Sequence, residues 1–317
     1  MKKYSLNSKH NLVGNISYQA GLSIIELMIS ITLGVLLIAG VATNFIGAKE
    51  SDKMRSAISE MDANARVAIG ILRQSILHAG YPSMYNVRLD KPFYTASDGV
   101  LTNPRCRGGS VRRDLQTPSW SLRTRDSGRT DVITVISLAD NPCKTGSTCP
   151  NTNINPNALV YYDCVGGGFD RRDSRVTECS ADPKVGMKDP TQAKIYSSFW
   201  VNRSRNLYCR GSRGNTQPLV QDIEAMQVLY GVKQDDGSLS YRRATDVEAS
   251  DQWSLVRSVQ IALLVRSSTE VLKTPSDKIW YTLLDVRRRI ATSDLRRLFR
   301  VYTTTINLEN VKKGALL

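Results

Sequence analysis

Histidine is nearly absent from this sequence: only His10 and His78 occur in 317 residues. Nothing beyond His78 can supply the imidazole of a Ser/His/Asp or Cys/His arrangement, which removes those forms of nucleophilic catalysis from most of the chain. No CxxC pair occurs, and without histidines nearby the six cysteines make a poor zinc cluster. No phosphate-binding or dinucleotide fingerprint follows a strand-like run, and Gly166-Gly167-Gly168 reads as a loop. Asp235 and Asp236 are adjacent in a turn-forming stretch, which suits a turn better than acid/base chemistry or calcium. The residues therefore point to a protein that is not an enzyme and carries no cofactor or metal.

Charge is missing from Leu27 to Ala48, a run of 22 residues rich in Ile, Leu and Val. That length suffices to cross a bilayer as one helix. Elsewhere the composition is that of a globular chain, with 41% hydrophobic and 23% charged residues and a mean hydropathy of -0.27. Lys2, Lys3 and Lys9, with no acid before Glu26, precede the run, whereas Lys49, Glu50, Asp52, Lys53 and Arg55 follow it. The positive-inside bias places the N-terminus in the cytoplasm and the remainder outside. Gly40-Val41-Ala42 offers a site for an ordinary signal peptidase, but Glu26 at the head of the run argues against discarding it. A carboxylate there costs up to about 2.5 to 3.5 kcal/mol if placed deep in the bilayer, and so requires a reason.

Proline is absent between Leu22 and Gly80, so one helix over the whole interval is allowed, about 88 Å at 1.5 Å per residue. Met54, Ile58, Met61, Ala65, Ile69, Leu72 and Ile76 recur at spacings of three and four, an apolar stripe expected to pack on a globular head. Gly80-Tyr81-Pro82 is the expected stop. Beyond it come short β-like runs: 131–138, 159–165, 195–201, 226–232, 255–265 and 300–308. Asp235-Asp236-Gly237 reads as the turn of a hairpin from Val232 to Leu239. The fold class expected is α+β, a long N-terminal helix packed on an antiparallel sheet.

All six cysteines, Cys106, Cys143, Cys149, Cys164, Cys179 and Cys209, fall in the turn-rich middle, which suggests disulfides formed in an oxidising compartment. Cys143 with Cys149, closing a short loop, is the one pairing suggested by spacing. Arginine and lysine exceed the acids 43 to 29, giving a net charge of +14. Arg112-Arg113, Arg171-Arg172, Arg242-Arg243, Arg287-Arg288-Arg289 and Arg296-Arg297 account for much of it, and read as a solvated, ion-paired surface more readily than as a nucleic-acid groove. Tyr161, Tyr162, Trp280 and Tyr281 are the aromatics available for stacking on bases, though core or interface roles suit them better.

Gly21-Leu22-Ser23-Ile24-Ile25-Glu26-Leu27-Met28 resembles the class III signal of type IV prepilins. The stretch from Gly21 through Ser83, with Ile223 to Gly231, Trp253 followed by Val256 to Val259, Leu264 to Ser267 and Phe299 to Leu308, is similar to the PilW group of minor pilins. The resemblance implies cleavage between Gly21 and Leu22 by prepilin peptidase, N-methylation of Leu22 in place of the family phenylalanine, and subunit docking through Glu26. It implies a leader at 1–21, a transmembrane or filament-core helix at 22–48, an amphipathic helix at 49–80 and a β-rich head at 81–317. Without the leader's three lysines the net charge is about +11. The implied partners are the inner membrane, other minor pilins, the major pilin and a PilY-type tip adhesin, in a complex that initiates pili serving adhesion, twitching motility and DNA uptake. The implied location is the inner membrane, head periplasmic, and then the pilus at the cell surface. A type II secretion pseudopilin of the J type shares the leader and helix and is the alternative. A basic pilin that binds DNA is a second.

Overall fold

A computed structural model describes residues 23–81, 91–95, 130–138, 158–166, 168–170, 194–211 and 216–312. It divides into two compact units between Asp52 and Lys53. The first helix, α1 (Ile24–Leu77), crosses that boundary as one element of 54 residues. The uninterrupted run of helix-compatible residues sustains it, and its N-terminal part is described here by itself.

Within the second unit, α1 buries Ala57, Met61, Ala65, Ala68, Leu72 and Ile76. Their spacings of three and four put them on one face. Met54 and Ile58, expected on the same stripe, are instead exposed, because the apolar face against the head begins at Ala57. The helix stops where expected. Gly80 adopts φ +68°, its N–H donates to the Ile136 carbonyl at 2.9 Å, and Asn310 Nδ2 donates to the carbonyl of Leu77 at 2.8 Å. A side chain at Gly80 would be strained by that φ and would crowd Pro92 and Val311.

The strands form two four-stranded antiparallel sheets and two hairpins. The first sheet has the order β1 (Val132–Leu138), β4 (Lys194–Val201), β5 (Leu207–Gly211), β6 (Thr216–Val220). The second has the order β12 (Phe299–Asn307), β9 (Val256–Arg266), β7 (Ile223–Lys233), β8 (Leu239–Arg242). Strands β2 (Ala158–Tyr162) and β3 (Gly168–Asp170) pair with each other, as do β10 (Trp280–Leu283) and β11 (Val286–Arg289). Short helices α2 (Ala244–Ala249) and α3 (Glu309–Lys312), with 3-10 turns at Trp253–Leu255 and Thr292–Asp294, complete the described elements. Every expected strand is present within a few residues, except that 159–165 ends early at Tyr162. Gly237, at φ +83°, closes the expected hairpin, with Lys233 opposite Leu239.

Strand β9 reads as a nearly unbroken apolar run because both its faces are covered. Val259, Ile261, Leu263 and Val265 join the main core with Leu72 and Ile76. Their neighbours Ala262 and Leu264 join Ala225, Leu283 and Ile290 in a second cluster. The alternation is the period of two expected of a strand, and the β10–β11 hairpin is what covers the outer face. In the main core the rings of Phe93, Tyr230 and Trp253 meet edge-on or tilted, with centroids 4.9 to 5.7 Å apart.

Candidate functional site

The N-terminal half of α1 carries the feature that most needs a function. Ile24, Leu27, Leu36, Leu37, Ile38 and Val41 are between 51% and 81% exposed. Its apolar window has a mean hydropathy of 2.4 and none of it is buried, so by length and composition the helix can cross a membrane. Apolar surface on this scale is unstable in water and needs lipid or other helices around it. The hydroxyls in the run are already satisfied locally. Ser30 Oγ donates to the Glu26 carbonyl at 2.7 Å, Thr32 Oγ1 to that of Ile29 at 2.8 Å, and Thr43 Oγ1 to that of Gly40 at 2.9 Å. Such back-bonding lets polar side chains sit in an apolar medium.

Glu26 is the exception. It lies in the first turn of α1, where the helix dipole favours an anion, and it forms no ion pair among the described residues. A carboxylate at the entry to an apolar rod is costly until a cation meets it. Gly21 and Leu22 lie outside the described residues, as do Cys106, Cys143, Cys149 and Cys179.

The head is tied together by features the sequence reveals less readily. Cys164 and Cys209 form a disulfide, with Cα atoms 6.2 Å apart across a separation of 45 residues. In the chain-entropy account, a loop of that length stabilises the fold by about 4 kcal/mol. The bond fixes the turn after β2 to β5, where Gly211 lies so close to Asp163 that a Cβ would sit 2.1 Å from its Oδ2. The proposed Cys143–Cys149 pair falls outside the described residues.

A network of arginines and acids closes one end of the sheets. Arg205 donates to Glu224 at 2.6 Å and to Asp294 at 2.8 Å. Arg288 reaches Glu224 at 3.2 Å, while Arg266 meets Asp222 at 3.2 Å and Asp294 at 3.6 Å. Arg297 meets Asp294 at 3.5 Å. Arg205 and Asp222 hold left-handed backbones, φ 61° and 59°, and their carbonyls accept from Ile223 N at 2.8 Å and Arg266 N at 3.0 Å. Part of the arginine excess is thus internal and structural. The acids lie far apart in sequence, so no local motif announces them.

Two further contacts join α1 to the second sheet. Arg300 meets Asp62 at 3.3 Å, and the Tyr302 hydroxyl donates to the same carboxylate. Partial burial, reinforced by the Asp62 carboxylate, pushes the Tyr302 phenol up to about 12. Among the described residues no group of three or more His, Cys, Asp or Glu is placed to hold a metal ion.

The described residues form a long apolar helix and an α+β head of antiparallel sheets. Residues 192–310 match the model of the family described as Type IV Pilus-assembly protein W, PilW, the group indicated by the sequence resemblance. The matched span takes in both strands of the β10–β11 hairpin and the whole second sheet. Among solved structures, the chain is similar to the type IV-like pilin TTHA1219 from Thermus thermophilus, at 12% identity and a TM-score of 0.32, over 79% of this chain and 96% of that one. No curated protein matches.

Proposed function

We propose that the chain is a minor pilin that prepilin peptidase cuts between Gly21 and Leu22, and that it works in a tip or priming complex starting pilus assembly. Four segments follow from this reading: a leader at 1–21, a filament-core helix at 22–48, an amphipathic helix at 49–80 and a head at 81–317. The new amine of Leu22, N-methylated, is the cation that Glu26 of a neighbouring subunit meets. Before assembly the helix is stored in the inner membrane, with its N-terminus cytoplasmic and its head periplasmic. Other minor pilins, the major pilin and a PilY-type adhesin are the partners, and adhesion, twitching motility and DNA uptake are the processes served.

The observation that carries this reading is the exposed apolar helix headed by one acid that has no ion-pair partner among the described residues. A lipid anchor alone explains the apolar residues and leaves Glu26 without a purpose. The family match favours a pilus over a type II secretion pseudopilus.

Paired variants test the proposal. Gly21→Leu leaves full-length precursor in the membrane and no pili, because a side chain obstructs the peptidase at the cut. Glu26→Ala is cut normally but is lost from sheared pili. A normal mature band in the first variant, or undiminished pilus incorporation in the second, contradicts it.

A further inference from the structure

The outer surface of the β10–β11 hairpin has no role in the fold. Its inward face is well anchored. Leu283 is buried with Ala262, Leu264 and Ile290, Arg288 is held by Glu224, and the Ile290 N–H donates to the Ile279 carbonyl at 2.9 Å. Asp285, at the two-residue turn between Leu283 and Val286, is taken up by Arg243. Outward, by the period of two, point Trp280, Thr282, Arg287 and Arg289, all exposed.

Trp280 stands directly across from Arg289, and Thr282 from Arg287. The Arg287 guanidinium lies 5.3 Å from the centre of the indole, yet the tryptophan remains 43% exposed. Neither Arg287 nor Arg289 has a carboxylate partner among the described residues, and the Trp280 indole N–H has no acceptor among them. This sets the pair apart from Arg205, Arg266, Arg288 and Arg297, all engaged in the internal network. Lys278 adds a further exposed cation, over the Tyr281 ring at 4.6 Å. Exposing an indole costs apolar burial and leaving two guanidiniums unpaired costs mutual repulsion; a rigid ribbon that does both is prepared for a ligand.

We infer that this face, Trp280 with Arg287 and Arg289, binds single-stranded nucleic acid. The two arginines are two positions apart on one strand, about 6.7 Å, and flank a flat apolar ring. A ligand offering a planar π-face between anionic groups satisfies all three side chains at once, and a nucleic acid strand repeats that unit at every base. An acidic peptide would satisfy the guanidiniums and leave the indole unmatched. The net charge of +14 adds long-range attraction that brings a polyanion to the surface. Tyr281 takes no part, because it packs against Phe299 on the inward side. The inference stands independently of the pilus assignment.

The test uses the full-length chain in detergent micelles and a fluorescein-labelled oligothymidine, followed by anisotropy across a salt series. Trp280→Ala weakens binding about tenfold or more, and Trp280→Phe, which keeps a stacking face, loses much less. Arg287→Gln/Arg289→Gln lowers the slope of log affinity against log salt by about 1.4. Lys53→Ala/Lys233→Ala removes the same charge from two other exposed positions and leaves the slope unchanged. All four variants alter solvent-facing side chains, and unchanged melting shows that they fold. Wild-type affinity in Trp280→Ala and Arg287→Gln/Arg289→Gln, an equal loss in the lysine variant, or displacement of the oligonucleotide by polyglutamate as readily as by unlabelled strand would each overturn the assignment.

Discussion

Glu26 and Tyr302 illustrate how one side chain reports on its surroundings. Glu26 has no ion-pair partner among the described residues, and on the proposed reading it awaits a cation from a neighbouring subunit. Tyr302 has its partner already: its phenol donates to Asp62 on α1 and is held protonated up to about 12, above the ordinary value near 10. A phenol whose folded pKa is raised contributes stability fully below the unfolded pKa, and loses it as pH climbs through the folded one. The helix-to-sheet contact is therefore expected to weaken between about pH 10 and 12. Melting temperature followed over that interval will fall less steeply in Tyr302→Phe than in the wild type, and identical slopes would show that the phenol does not couple the two elements. The role proposed for Glu26 rests on a local signal, five residues of spacing from Gly21 and a run without charge. The Cys164–Cys209 bond was not legible in the sequence, since six cysteines allow 15 pairings and nothing in the spacing singles this one out.

At the scale of elements, the C-terminal half of α1 contributes Met61, Ala65, Ala68, Leu72 and Ile76 to the head core. Leu72 is fully buried in a cluster that includes Val135, Met226 and Leu263. Leu72→Ala is expected to destabilise the head by about 2 to 5 kcal/mol, measured by chemical denaturation, whereas the same truncation at the exposed Ile58 costs less than about 1 kcal/mol. Equal losses at the two sites would mean that the helix does not pack as described. The limit of sequence reading at this scale is visible in that pair of residues. Ile58 and Leu72 have the same period, and only the extent of the head decides which of them is covered. Strands β7 and β9 were legible because burial on both faces forces long apolar runs. Strand β11 was not, because its sequence is dominated by arginines and its turn, Leu284-Asp285, contains no glycine, although Leu284 has φ 52°. The arginine and acid network was hidden for a related reason: Asp222, Glu224 and Asp294 become neighbours only after the sheets have formed.

At the scale of the molecule, the fold divides its labour. One unit exposes apolar surface that requires company, and the other buries its own core. Such a chain is complete only in an assembly or a membrane, and which of the two is its working state depends on whether the apolar helix is kept. N-terminal sequencing or intact mass of the protein recovered from cells measures that directly. A mature chain beginning at Leu22, carrying a methyl group and retaining the helix through Ala48, is the expected result; a chain beginning at Thr43 would show that the helix is removed as an ordinary signal and would contradict the pilin account.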